Sequence, residues 1–121
     1  MWHIDYHLIE DWLDAQDAET VACVFVALEI LEREGPALGR PLVDSVQGSK
    51  VKNLKELRPA SPKGACIRIL FAFDPQRSAV MLVAGDKSAG RRRWTNWYKE
   101  AVSLAEKLYG EHVWKLGGAN G

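Results

Sequence analysis

The sequence predicts an α/β (α+β) domain in which a three-stranded antiparallel meander is flanked by helices. Three observations predict it. Residues 53–86 hold three strand-like runs, at 53–59, 65–75 and 79–86, parted by short turn-rich gaps. In the middle run Ile67, Ile69, Phe71 and Phe73 alternate with Cys66, Arg68, Leu70 and Ala72, a period of two that separates a core face from a working face carrying Arg68. Before and after the meander, apolar residues recur at helical spacing. A chain of 121 residues is of single-domain length, expected here as a domain over 1–114 and a glycine-rich flexible tail over 115–121.

The elements follow in order. Residues 2–7 alternate as a short strand, an edge or central partner of the meander. Residues 8–13 are acidic and amphipathic and suit one or two helical turns. Asp14 or Asp17 caps the next helix, over 18–34, by accepting hydrogen bonds from its free amides. Val21, Val24, Phe25, Leu28 and Leu31 give that helix one apolar stripe. Gly35 and Pro36 stop it. Residues 37–50 read as a loop that feeds the meander. After the last strand, Gly85, Ser88, Gly90 and the triplet Arg91, Arg92 and Arg93 read as a flexible basic connection. A final helix over 94–111 presents Trp97, Ala101, Leu104, Ala105 and Leu108 to the sheet.

Composition excludes several classes. Hydrophobic content of 47% suffices for a core. No apolar run approaches the roughly 20 residues that span a bilayer. The N-terminal residues lack a signal-peptide pattern, so the expected location is cytoplasmic. Cys23 and Cys66 lie in apolar runs and read as two buried thiols. His3, His7 and His112 lack ligand spacing, so no metal is assigned. The net charge of zero hides a segregation: residues 1–49 carry ten acidic and two basic residues, whereas residues 50–93 carry eleven basic and three acidic ones. The sheet region is therefore expected to be positive and to favour a phosphate-bearing partner.

Gly39-Arg40-Pro41-Leu42, then Leu54-Lys55-Glu56-Leu57-Arg58, then Ile67-Arg68-Ile69-Leu70-Phe71-Ala72-Phe73-Asp74 resembles the RelE/ParE toxin superfamily. The closest resemblance is to its HigB-like branch, also called phage Gp49-like proteins, over about residues 18–112. Gly85-Asp86-Lys87-Ser88, followed by Trp97-Tyr98, fits the same branch. The resemblance implies a RelE-like fold, a twisted antiparallel sheet with N-terminal helices and a C-terminal helix packed on it. It implies the toxin of a type II toxin–antitoxin system: a ribosome-dependent messenger RNA endoribonuclease that inhibits translation without a metal or cofactor. The implied partners are messenger RNA, the ribosome and a cognate antitoxin, often a helix-turn-helix protein.

Carried over by position, Arg68 grips phosphate, Arg58 matches the catalytic arginine that closes the first meander strand, and Lys87 lies among the late basic catalytic residues. Glu56 stands where the family carries a lysine, and reads either as a base or as the ion-pair partner of Arg58 or Arg68. Lys50, Lys52, Lys55, Arg91, Arg92, Arg93 and Tyr98 are the expected RNA contacts. The alternatives implied by the same resemblance are a non-catalytic ParE-like inhibitor of gyrase and an RNA- or ribosome-binding module without turnover.

Overall fold

The structure is a computed structural model that describes residues 1–61, 64–89 and 91–118, without the side chains of 89, 91–94 and 118. The chain runs through β1 (His3–Asp5), α1 (Glu10–Asp14), α2 (Ala18–Glu34), β2 (Val43–Ser45), β3 (Lys55–Leu57), β4 (Ile67–Phe73), β5 (Ser78–Asp86) and α3 (Arg91–Gly118). Short 3-10 turns precede α1, follow α2 and precede α3. The strands form one sheet in the order β1-β5-β4-β3-β2.

The meander is β3, β4 and β5, antiparallel as the alternation predicts. Two features of the sheet depart from the sequence reading. β2 lies inside the expected loop and pairs with β3, antiparallel. Three residues are too few to display a period, so only the pairing makes them a strand. β1 is an edge strand and runs parallel to β5, so the sheet carries one parallel pair. A parallel neighbour needs a long crossover, and residues 6–77 lie between these two strands.

α2 has the predicted bounds. The Asp17 carboxylate accepts from the Thr20 amide at 2.8 Å and caps its start. Its end is fixed by Gly35, which takes φ 59°, beyond easy reach of an L side chain. Gly35 also lies against the Trp2 indole, where a Cβ would collide with the ring. Trp2 meets Phe73 edge to face at 4.8 Å and lies under the Arg77 guanidinium. The first residues are thereby packed between the end of α2 and the β4–β5 turn.

The sheet is covered on both faces. On one, Val24, Leu28 and Leu31 of α2 meet Leu57, Ile67, Ile69, Phe71 and Met81. This is the predicted core face. The other is the face that carries Arg68, and most of it is covered by the final helix, as the apolar stripe of that helix predicts. Leu54, Leu70, Ala72, Val80 and Leu82 are buried there under Ala101 and Ala105 of α3. Period two locates the two faces but does not say which of them a later helix covers. The part of that face around Arg68 remains accessible.

α3 is longer than predicted. It begins at Arg91, so the arginine triplet opens the helix instead of lying in a flexible connection. It continues through residues 115–118, which were expected to fray. Leu104, assigned to the apolar stripe, is 45% exposed, and Val102 and Tyr109 pack toward the core instead. Cys23 and Cys66 are free and half-buried rather than fully buried.

Candidate functional site

The register of β3 on β4 builds the site. Glu56 lies opposite Leu70 and Leu57 opposite Ile69. One step further along the same ladder brings Arg58 to the level of Arg68, on the α3 side of the sheet. Glu56 is 7% exposed, and both of its oxygens face guanidinium groups. Arg68 Nε is 3.3 Å from Oε1, and Arg58 Nη2 is 3.5 Å from Oε2. A buried carboxylate of this kind is tolerated because it is paired. Arg68 Nη1 also donates to the Ile67 carbonyl at 2.8 Å, which fixes the plane of its fork.

β2 extends the charges into a row. Asp44 Oδ2 accepts from Arg58 Nη2 at 3.2 Å and from Arg40 Nη2 at 3.0 Å. Arg40, Asp44, Arg58, Glu56 and Arg68 thus alternate in sign across the sheet edge. The hydrogen bond from Arg40, with one from the Ser45 amide, holds the Asp44 carboxyl below its ordinary value. Arg58 Nε is buried without a hydrogen-bond partner among the described residues. Asp44 is a residue that sequence reasoning missed, because its strand was not visible.

The second wall comes from β5 and α3. Asp86 Oδ1 accepts from the Cys66 and Ser88 amides at 3.0 and 2.8 Å, and the Lys87 amide donates to the Cys66 carbonyl at 2.7 Å. These bonds set the turn that carries Lys87. Gly85 pairs with Arg68 across the ladder, and the Trp97 indole lies against it so closely that a Cβ would enter the ring. Trp97 therefore seats the start of α3 next to Arg68.

Between the walls is a cleft of about 440 Å³ lined by Glu56, Arg58, Arg68, Lys87, Thr95, Tyr98 and Lys99. Burial pushes the Tyr98 phenol up, and the Glu56 carboxylate adds to the shift. All four expected catalytic residues, Arg68, Arg58, Lys87 and Glu56, meet here, together with Tyr98. Thr95 and Lys99 were missed, although their spacing from Tyr98 puts all three on one helix face.

Other expected RNA contacts lie elsewhere. Lys55 pairs with Phe71, so it points to the α2 side, away from Arg58. Lys50 and Lys52 are exposed in the loop before β3 and do not line the cleft. The side chains of Arg91, Arg92 and Arg93 lie outside the described residues. Among the described residues, no cluster of His, Cys, Asp and Glu could hold a metal ion, and no helix is long and apolar enough to cross a membrane.

The cleft offers four cations, one carboxylate and an aromatic ring to a ligand. That is a donor set for a phosphodiester, with planar forks for its oxygens and a ring face for a base.

Comparisons with known proteins agree in direction. The family described as "Phage derived protein Gp49-like" matches residues 11–110. The chain is 53% identical over 112 residues to a Mycobacterium tuberculosis protein named "Putative toxin HigB2", covering 93% of this chain and 54% of that one. It is 46% identical over 99 residues to "Putative toxin HigB3" of the same organism, covering 82% of each. The chain thus spans about half the length of the first relative. No solved structure matches it.

Proposed function

The chain belongs to the phage-derived Gp49-like family, its HigB-like branch, and on that premise we propose that it is the toxin of a type II toxin–antitoxin pair. In this reading it cuts messenger RNA on the ribosome and is neutralised by a cognate antitoxin. The observation that supports cleavage is the meeting of Arg58, Arg68, Lys87 and Glu56 in one cleft.

The chemistry would be transesterification. The ribose 2′-oxygen forms a bond to the adjacent phosphorus, and the bond from phosphorus to the 5′-oxygen breaks. A 2′,3′-cyclic phosphate and a 5′-hydroxyl result. Arg68 and Arg58 stabilise the phosphate as charge gathers on it. Before substrate arrives, Glu56 occupies their donors. Once the phosphate takes the guanidiniums, the released carboxylate accepts the 2′-hydroxyl proton, and Lys87 donates one to the leaving oxygen. Tyr98 supports a base by stacking.

Inducing the protein and mapping messenger 5′ ends tests this. Wild type arrests growth and creates new 5′ ends. Arg68→Ala lowers cleavage by about a hundred- to a thousand-fold, the typical loss for one such donor. Arg68→Lys does not restore full activity, because an ammonium lacks the planar fork. Arg68 is 16% exposed and pairs with buried Glu56, so its removal also lowers the melting temperature. Assays are therefore run well below the variant's melting point. A folded Arg68→Ala protein that still cuts messenger at the wild-type rate would end the catalytic assignment. Growth arrest by wild type with no new 5′ ends would favour a ParE-like mode of action.

A further inference from the structure

On the other side of the sheet, α2 leaves one flank uncovered. Two adjoining hollows of about 470 and 250 Å³ lie along it and share Tyr6 and Phe25. Those two rings meet edge to face at 5.3 Å and form the saddle between the hollows. Leu13 of α1 lines the first hollow, and Ile4 of β1 and Leu28 of α2 line the second. Val21, Phe25, Leu28 and Glu32 follow one another along α2 on the same flank. The hollows therefore make one groove of roughly 16 Å, the rise of eleven helical residues.

The rim of this groove has one sign. Glu10 and Asp14 border the first hollow, Glu29 and Glu32 the second. His3 and Tyr6 are the other titratable residues on the lining, and no lysine or arginine is among them. The same bias fills residues 1–49, where acidic residues number ten and basic ones two. Four carboxylates around a trough whose accessible apolar groups are Ile4, Tyr6, Val21 and Phe25 repel one another and repel nucleic acid. A polypeptide with an apolar face and cationic flanks relieves the repulsion and covers the trough together. An amphipathic helix laid in a groove answers both demands, and about three turns of it span the length available.

We infer that this groove docks a basic amphipathic helix of a protein partner. The partner's identity as the antitoxin rests on the toxin reading above. Leu13 and Leu28 belong to the α2-side core, whereas Arg58 and Arg68 open on the α3 side. A helix seated in the groove therefore leaves the cleft uncovered. The protein can hold RNA and partner at once.

The test uses the full chain, nitrogen-15 labelled, and a synthetic 14-residue peptide with leucines on one helical face and lysines on its flanks. Two control peptides carry glutamate for lysine, or serine for leucine. The lysine peptide should shift the amides of Tyr6, Phe25 and Leu28 and bind about tenfold or more tightly than either control. Glu29→Lys with Glu32→Lys should weaken it about tenfold at an unchanged melting temperature. The milder pair Glu29→Gln and Glu32→Gln should fall between, and serves if the reversal unfolds the chain. A short RNA should bind equally well with and without the peptide. Any of four results overturns the inference: no shifts at millimolar peptide, shifts centred on Glu56 and Tyr98, equal binding of the glutamate peptide, or groove shifts that grow with protein concentration alone. Messenger cleavage is scored on the same preparation. Its absence with the peptide seated strikes the nuclease reading and spares the groove; its presence with no peptide seated strikes the groove alone.

Discussion

Asp86 ties the cleft to pH. Burial pulls its carboxyl upward, but the hydrogen bonds from Ser88 and Cys66 outweigh that and hold it below the ordinary 3.8. A carboxyl depressed in the folded state contributes stability that is fully present above its unfolded pKa. That stability is lost as pH falls through the folded pKa. Asp5 and Asp44 are depressed as well. The melting temperature should therefore hold near neutrality and fall from about pH 4 downward. Asp86→Asn should melt lower at pH 7 yet lose less than wild type on acidification. Melts across the acid range check this, and equal acid slopes for the two proteins would refute the role of Asp86. Single residues were legible in the sequence where alternation decides, as for the face of Arg68. Lys55 shows the limit: it is a neighbour of Glu56 in sequence, and period two sends it to the opposite face. The proximity of Glu56 to both arginines depends on strand register, which the sequence leaves open.

At the scale of elements, α3 decides what the sheet can do. Its Ala101 and Ala105 bury the middle of the face opposite α2, and its Thr95, Tyr98 and Lys99 wall the cleft. The seat is the contact of Trp97 with Gly85. Gly85→Ala should drive a methyl group into the indole and cost about 1–3 kcal/mol, the usual range for overpacking. The start of α3 would shift, and RNA affinity would fall although no cleft side chain had changed. Trp97→Leu removes the far part of the ring, so the double variant should recover part of the loss that Gly85→Ala causes alone. A four-way comparison of melting and RNA binding checks the coupling; strictly additive losses would show that the two residues act independently. Long periodic elements were legible, as the bounds of α2 show. The start of α3 was not, because Ser88, Gly90 and three arginines spell a turn locally. Arginine is a good helix former, and helix propagation from the packed part carries through it. β2 escaped because pairing alone defines it.

For the whole molecule, the separation of charge visible in the sequence becomes two faces of one sheet: an acidic groove beside α2 and a basic cleft under α3. The cations of the cleft are not equivalent. Arg58 and Arg68 already share the carboxylates of Asp44 and Glu56, whereas no ion pair joins Lys87 or Lys99 among the described residues. An arginine that trades a carboxylate for a phosphate alters the local field little at long range. A lysine that meets phosphate directly releases a counterion. RNA affinity should thus fall steeply with salt, by about 0.7 in log–log slope for each phosphate neutralised on a single strand. Lys87→Ala with Lys99→Ala should flatten that slope by roughly 1.4, the share of two contacts. Lys50→Ala with Lys52→Ala should leave it nearly unchanged, since neither residue lines the cleft. Replacing Arg91, Arg92 and Arg93 by alanine should flatten it further, because α3 opens with them one turn before Thr95. Binding of a labelled RNA oligonucleotide across a salt series reads all three variants. If the Lys50 and Lys52 pair moved the slope as much as the Lys87 and Lys99 pair, RNA would be tracking the loop before β3, and the cleft would lose its place as the site of contact.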